Sequence, residues 1–157
     1  MIVNYNREVA VSYARKWALS RNPKYYNFDA LGGDCTNFIS QCVYAGSKVM
    51  NYSPNGWYYN SLNDRTPAWS GVEFFYDFLL NNIYDGPFAV SVNKFEITKG
   101  DVIILERAGD LFHTLIVSDI ISGSVLVCSH TRNALDLPLN AFSFSKAHYL
   151  HLQGVRK

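Results

Sequence analysis

The chain has 157 residues, of which 48% are hydrophobic and 17% are charged. This length suits one compact domain, and the apolar fraction is high enough to build a core, so a disordered chain is excluded. We therefore expect a single domain over residues 1–157. Basic and acidic residues number 14 and 13, a formal net charge of +1, which lacks the positive field on which nucleic-acid binding depends. Nucleic acid is not an expected partner.

The sequence carries no signal for a membrane segment or for export. Its longest apolar runs, such as residues 102–105, are far shorter than the roughly 20 residues that cross a bilayer. Its first residues also lack the basic and apolar stretches of a secretory signal. We therefore expect no membrane span, and a protein that is cytoplasmic or exported by a non-classical route.

Three helices are predicted in the first half of the chain. Apolar residues recur at helical spacing over residues 6–20 and again over 35–46. A third helix is predicted for about 72–82, where Ser70 and Glu73 fit the capping-box pattern at a helix start. Residues 51–69, rich in proline, glycine and aromatic residues, are predicted to form an irregular loop.

Strand-like runs dominate the chain beyond Pro87. They cover residues 88–92, 101–106, 112–120, 124–131 and about 148–153. Because the helices come first and the strands follow, the pattern predicts an α+β fold, with N-terminal helices packed on a C-terminal antiparallel sheet.

Cys35 has the sequence context of a nucleophile. Gly32 and Gly33 allow the backbone to approach closely, and the helix that follows places the positive end of its dipole at the thiol, which favours a thiolate. The alternative is that Cys35 is only the first core residue of the helix. Cys42 and Cys128 lie within a predicted helix and a predicted strand, where buried apolar thiols are expected. Three cysteines do not suggest a disulfide framework, so all three are expected to be free.

A base for the thiol is expected among the strand histidines, His113 and His130. A symmetric turn near residues 121–124 would place Ile120 opposite Val125, and counting back puts His130 opposite Leu115. Both imidazoles would then project from one face of the sheet as diagonal neighbours. An odd-numbered loop would reverse one of them.

In that register, His113 would take the thiol proton while His130 orients its ring. Asn133 or Asp136, just downstream, would be alternatives to His130 in the orienting role. A zinc site built from Cys35 and the same histidines, with Cys128, is the weaker reading, because no two of these residues have the short spacing of a preorganised metal site. We expect no metal and no cofactor.

The segment Gly32–Gln41, with sequence GGDCTNFISQ, resembles the nucleophile segment of the putative amidase domain family. That family belongs with the CHAP and NlpC-like branch of papain-fold cysteine peptidases and amidases. The resemblance covers roughly residues 4–150. It extends to Tyr5-Asn-Arg, Asn22–Asn27, Trp57, Trp69, Gly100-Asp101, His113-Thr114 and His130-Thr131.

The resemblance implies a papain-like fold and a Cys-His-His site. Cys35 would be the nucleophile, His113 the general base and acid, and His130 the orienting residue, with Asn133 as the alternative. The implied reaction is hydrolysis of an amide or peptide bond through a thioester, with cell-wall peptides as one substrate class. Trp57 and Trp69 would then line a substrate groove. The competing hypothesis is a catalytically silent module that binds a peptide or a partner on the same scaffold.

Overall fold

The computed structural model describes residues 1–157 and contains four helices and nine strands. The helices are α1 (Arg7–Trp17), α2 (Cys35–Ser47), α3 (Pro67–Ser70) and α4 (Val72–Asn81). The strands are β1 (Ile2–Val3), β2 (Tyr59–Ser61), β3 (Asp64–Arg65), β4 (Gly86–Val92), β5 (Val102–Arg107), β6 (Asp110–Ile121), β7 (Ser124–Ser129), β8 (Ala134–Pro138) and β9 (Lys146–Arg156). None of the helices has the length and hydropathy of a bilayer-spanning segment.

Seven of the strands form one antiparallel sheet. Its order is β1-β9-β5-β6-β7-β8, and β4 pairs with β9 as well. The remaining two strands, β2 and β3, form a separate hairpin. The predicted α+β class with helices on a large antiparallel sheet is confirmed.

The predicted elements differ from the observed ones mainly where they are short. The sequence pattern missed β1, β8 and the β2–β3 hairpin, because two to five residues are too few to establish a period. The predicted capping box is wrong: Gly71 is the N-cap of α4 and supplies no side chain. Ser70 lies in α3, and its hydroxyl accepts a hydrogen bond from Arg65 instead.

The sheet has a core on each face. The helix-side core lies between the sheet and the helices, and includes Phe38, Ile104 and Ile116. The outer core lies on the other face, and includes Leu115 and Phe142. This arrangement follows from the alternation of side chains along β5 and β6. Cys42 and Cys128 are both fully buried in the helix-side core, as predicted.

Two β-bulges in β6 decide where its side chains point. Leu105 pairs with His113 and Glu106 pairs with Leu111, so Phe112 is the extra residue of the first bulge. In the same way, Ser118 is the extra residue opposite β7. A bulge bends the strand and moves the register by one residue, and such bulges often lie beside active sites.

The second bulge changes the predicted histidine register. Ile120 does pair with Val125, as predicted from the turn. Beyond the bulge, however, Ile116 pairs with Cys128, which puts His130 opposite Thr114 and no longer opposite Leu115. A shift of one residue reverses the face of every side chain that follows. His130 is therefore on the helix side of the sheet.

A buried carboxylate joins α1 to the sheet. Asp101 is completely buried, and its Oδ1 accepts hydrogen bonds from Arg7 (2.6 Å) and the Leu152 amide (3.0 Å). Its Oδ2 accepts from His151 Nδ1 (2.8 Å) and the Thr98 amide (2.9 Å). The carboxylate is thus fully satisfied by partners from three parts of the chain.

We expect Asp101→Ala to lower the free energy of unfolding by about 3–5 kcal/mol, because the substitution leaves a guanidinium and two amides without their buried partner. Asp119→Ala is the matched control, since Asp119 is partly exposed, makes long ion pairs with Arg15 and Lys99, and accepts one hydrogen bond from the adjacent Ile120 amide. Its cost should stay below about 1 kcal/mol. Urea denaturation measures both, and equal losses for the two variants would contradict the role given to Asp101.

Candidate active site

Cys35 is the first residue of α2 and is half-buried. Two glycines with positive φ, Gly32 (+85°) and Gly33 (+101°), turn the chain into the helix. A β-carbon on Gly33 would lie 3.1 Å from the hydroxyl oxygen of Thr131, so a side chain there would be both strained and crowded. The sequence thus places the one cysteine that is not fully buried at the positive end of a helix.

Two threonines of the sheet hold the residues on either side of Cys35. The amide of Asp34 donates a hydrogen bond to Thr131 Oγ1 (2.9 Å), and the hydroxyls of Thr36 and Thr114 are 2.8 Å apart. These threonines directly follow His130 and His113. The helix start therefore docks on β6 and on the end of β7, at the two His-Thr pairs singled out by the sequence.

Thr131 adopts a strained backbone conformation at this contact, with φ of +75°. Positive φ is a genuine outlier for a β-branched residue, and such strain is found most often at functional sites. Here the turn aims the threonine hydroxyl at the Asp34 amide, so the strained residue takes part in holding the helix start.

His113 is on β6, directly before Thr114, and its ring is on the outer-core side of the strand. Its ring is close to Phe112 (centroids 6.1 Å apart) and Phe142 (5.7 Å). Its Nε2 atom is fully buried and has no hydrogen-bond partner. The imidazole makes no hydrogen bond, to the Cys35 thiol or to any other group.

The surroundings keep His113 neutral. Burial, together with the positive charges of Arg132 and Arg107, lowers the pKa of its imidazole from 6.5 to about 4. At neutral pH the ring therefore carries a free lone pair that is able to accept a proton. A neutral imidazole is the form that a general base requires.

His130, expected to orient His113, is engaged elsewhere. Its Nδ1 is 2.6 Å from Asp34 Oδ2, its Nε2 is 2.7 Å from the carbonyl oxygen of Trp17, and its ring stacks on Phe38 at 3.7 Å. A carbonyl oxygen only accepts, so Nε2 carries a proton, and a second proton lies between Nδ1 and the carboxylate. No ring atom of His130 is left to bond His113 or to take a proton from Cys35.

The alternative orienting residues are not at His113 either. The amide oxygen of Asn133 accepts a hydrogen bond from Arg21 (2.9 Å), and Asp136 pairs with Arg15 (3.2 Å). Both side chains face α1 and the loop after it. The structure therefore brings no orienting side chain to the buried nitrogen of His113.

Trp57 and Trp69, expected to line a substrate groove, are core residues. Both are fully buried, and their indole N–H groups donate to Ser40 (2.9 Å) and Asn37 (2.9 Å) of α2. Their rings are 4.9 Å apart. The two tryptophans therefore support the helix that carries Cys35, and they are not available to a substrate.

Asp34 is the site residue to which the sequence pattern gave no role. As the N-cap of α2 it would be expected to cap the helix, but its side chain makes no cap hydrogen bond. Its Oδ1 accepts instead from the Phe28 amide (2.8 Å) and the Asn37 side chain (2.9 Å), while Oδ2 faces His130. The first amides of α2 are consequently free of a side-chain acceptor.

A cavity of about 850 Å³ lies between the 51–56 loop and α4. Neither Cys35 nor His113 lines it, so this cavity is not part of the candidate site. No group of three or more histidine, cysteine or carboxylate side chains is arranged to hold a metal ion.

The sequence matches the family described as "Putative amidase domain" over residues 4–152. The chain belongs to this family. It is similar to "Uncharacterized protein YhbB" of Bacillus subtilis (strain 168), with 40% identity over 119 residues that cover 72% of this chain and 37% of the relative. It is also similar to "Uncharacterized protein YjcM" of the same organism, with 30% identity over 166 residues, covering 99% of this chain and 38% of the relative.

The chain spans less than two fifths of the length of these relatives. No solved structure matches it. The comparisons therefore establish a putative amidase-domain family, and membership of this family suggests hydrolase activity.

Replacing His130 should destabilise the protein. We expect His130→Ala to lower the free energy of unfolding by about 3–5 kcal/mol, because the change leaves the buried Asp34 carboxylate without its partner. His148→Ala is the control, since His148 also bonds a carboxylate, that of Glu106, at a partly exposed site, and should cost about 1 kcal/mol or less. Wild-type stability of His130→Ala would instead favour an orienting role in catalysis.

The buried His113 should make stability depend on pH. The unfolded chain binds the His113 proton near pH 6.5 and the folded chain only near pH 4, so the unfolded state holds more protons between these values. The free energy of unfolding therefore includes the full contribution of neutral His113 above about pH 6.5. As the pH falls to 4, the free energy of unfolding decreases by at most about 3 kcal/mol. Urea denaturation of wild type and His113→Gln from pH 4 to 7 tests this, and parallel curves would contradict it.

Proposed function

We propose that this domain is a cysteine-dependent amidase or peptidase in which Cys35 is the nucleophile and His113 the general base and acid. One observation carries the proposal. Cys35 is half-buried at a helix start without a side-chain cap. The next residue, Thr36, bonds Thr114, which directly follows the neutral His113. Because the chain belongs to a putative amidase domain family, an amide is the proposed bond for cleavage.

The proposed reaction requires the His113 ring to come within hydrogen-bond distance of the Cys35 thiol, and it then begins with transfer of the thiol proton to the imidazole. The sulfur attacks the carbonyl carbon of the amide, and the tetrahedral intermediate collapses as His113 returns the proton to the departing amine. A water molecule, deprotonated by His113, then attacks the thioester. The products are a carboxylic acid and the free thiol.

The free amides at the start of α2 would stabilise the oxyanion of each tetrahedral intermediate. Asp34, which would otherwise cap them, is turned towards His130 and Asn37. Backbone amides at a helix N-terminus are preorganised donors, and losing one such donor in a hydrolase costs about 10²–10³ in rate. Asp34 and His130 would therefore act as positioning residues for the helix start.

We infer a papain-like arrangement of the NlpC type for the fold as a whole. The support is a helix with an N-terminal cysteine packed on an antiparallel sheet, and a histidine on the strand that this helix contacts. The chain departs from a Cys-His-His triad because both ring nitrogens of His130 are already hydrogen-bonded, to Asp34 and to Trp17. The proposed machinery is thus a Cys35–His113 dyad.

Peptides are the proposed substrates, and cell-wall peptides are one class among them. Cys35 is half-buried, and the turn of residues 131–133 between β7 and β8 is exposed, which is compatible with the binding of an extended chain at the surface. The near-neutral net charge gives no reason to invoke a nucleic acid.

Removing the thiol tests the chemistry directly. We expect Cys35→Ala to lose iodoacetamide labelling and at least about 10³-fold of the hydrolysis of peptide anilides, because no other group can form the thioester. Cys128→Ala is the matched control: Cys128 is fully buried, so this variant should keep labelling and hydrolysis while losing stability.

The experiment also separates the proposal from a silent binding module. In such a module, wild-type Cys35 would alkylate no faster than a free cysteine and no amide would be cleaved. An active Cys35→Ala protein would overturn the nucleophile assignment outright. Mass spectrometry of the labelled peptide identifies the modified residue in each case.

A further inference from the structure

Two arginines stand beside the proposed general base. The guanidinium carbon of Arg107 lies 4.2 Å from the ring centroid of Phe112, and that of Arg132 lies 4.6 Å from the ring of Phe142. These are the two phenylalanines that flank His113. The arginines are therefore positioned by the same rings that enclose the imidazole.

The two guanidinium groups are anchored to the same short segment of chain. Arg132 donates to the carbonyl of Ala141 (2.6 Å), and Arg107 donates to that of Ser143 (2.7 Å). These carbonyls are two residues apart on either side of Phe142, whose backbone is extended, and residues so spaced are roughly 7 Å apart. Two cations anchored at this separation are suited to approach one anion together.

Neither arginine has an acidic partner within the chain. Arg7, Arg15 and Arg21 all form ion pairs with aspartates, whereas Arg107 and Arg132 form none. The nearest acids in sequence do not supply one. Asp110 is the strand partner of Arg107 but forms no ion pair with it, and Glu106 bonds His148. Both arginines are exposed, and each has N–H donors left over after its one carbonyl contact.

We propose that Arg107 and Arg132 form a carboxylate-recognition subsite, so that the substrate is an anionic peptide with a carboxylate next to the bond that Cys35 cleaves. This inference rests on the proposed function and specifies its substrate class. Guanidinium groups are the preferred partners of carboxylates, because their planar donors match the two oxygens.

The subsite also accounts for the electrostatics of His113. Without substrate, the two positive charges help to lower the pKa of this imidazole, and no carboxylate of the chain opposes them. A bound carboxylate would neutralise both cations, so the His113 pKa would rise in the complex towards its ordinary value. A base whose pKa lies nearer to working pH transfers protons more effectively. Substrates with the carboxylate would thereby activate the base that cleaves them.

The test uses paired peptide probes that differ only in charge. One pair has glutamate or glutamine next to a cleavable anilide, and the other is an acetylated tripeptide with a free C-terminal carboxylate or a carboxamide. We expect wild-type protein to prefer the carboxylate member of at least one pair by about 10- to 100-fold in kcat/KM, as for hydrogen bonds to charged groups. The preference should fall to about one in the Arg107→Gln/Arg132→Gln double variant.

Arg156→Gln is the matched control. Arg156 also stacks on a phenylalanine, Phe88, and bonds one backbone carbonyl, but it lies at the far end of β9. This variant should keep the wild-type preference. In the double variant the acidic limb of the kcat/KM profile should also move to higher pH, because the cations that lower the His113 pKa are gone. A purely structural role for the arginines would leave the preference for the carboxylate probe unchanged.

The outcomes separate this inference from the proposed function. Hydrolysis of both probes at equal rates, or a preference that survives in the double variant, would overturn the subsite and leave the amidase standing. Calorimetric binding of the carboxylate probes to Cys35→Ala protein, lost in the double variant on the same background, would support the subsite even if no probe is cleaved. Absence of both binding and charge preference would overturn the subsite.

Discussion

The start of α2 is fixed by a pair of ionisable side chains that water scarcely reaches. The Asp34 carboxylate and the His130 imidazole meet at 2.6 Å, and both residues are about 1% exposed. Such a pair is costly to bury, and it is tolerated only when every remaining donor and acceptor is satisfied. Here the requirement is met by the carbonyl of Trp17, the amide of Phe28 and the side chain of Asn37.

This pair determines the geometry of everything around Cys35. Because the Asp34 side chain is committed to His130, it does not cap the helix, and the first amides of α2 remain without a side-chain acceptor. The pair also ties together the end of α1, the start of α2 and the end of β7. The two buried tryptophans complete the support by bonding Ser40 and Asn37 from the opposite side of the helix.

The electrostatics of His113 are the reverse of those in a Ser-His-Asp or Cys-His-Asn site. In such sites a carboxylate or an amide oxygen accepts a hydrogen bond from the second ring nitrogen and stabilises the imidazolium. His113 has a buried Nε2 without a partner, and two cations for neighbours. The neutral form of His113 is therefore favoured over the imidazolium. The two neighbouring cations have no acidic partner within the chain, so an external anion could bind to them.

The sequence by itself determined the elements with clear periodicity and the local context of the nucleophile. The spacing of apolar residues predicted α1, α2 and α4, and the double glycine before Cys35 predicted a turn into a helix start, because both signals depend only on neighbours along the chain. The family resemblance also included the two His-Thr pairs, whose threonines hold the helix start in the structure. The sequence did not predict the hydrogen-bond and packing partners of the two histidines.

Only the tertiary structure decided which histidine faces which layer. The extra residues Phe112 and Ser118 shift the register of β6, and nothing in their local sequence distinguishes a bulge from a regular strand. The Ser118 bulge moves His130 to the helix side, where Asp34 and Trp17 engage both of its nitrogens. Long-range pairing also buried Trp57 and Trp69, since a loop rich in aromatic residues has the same composition whether it covers a core or lines a groove.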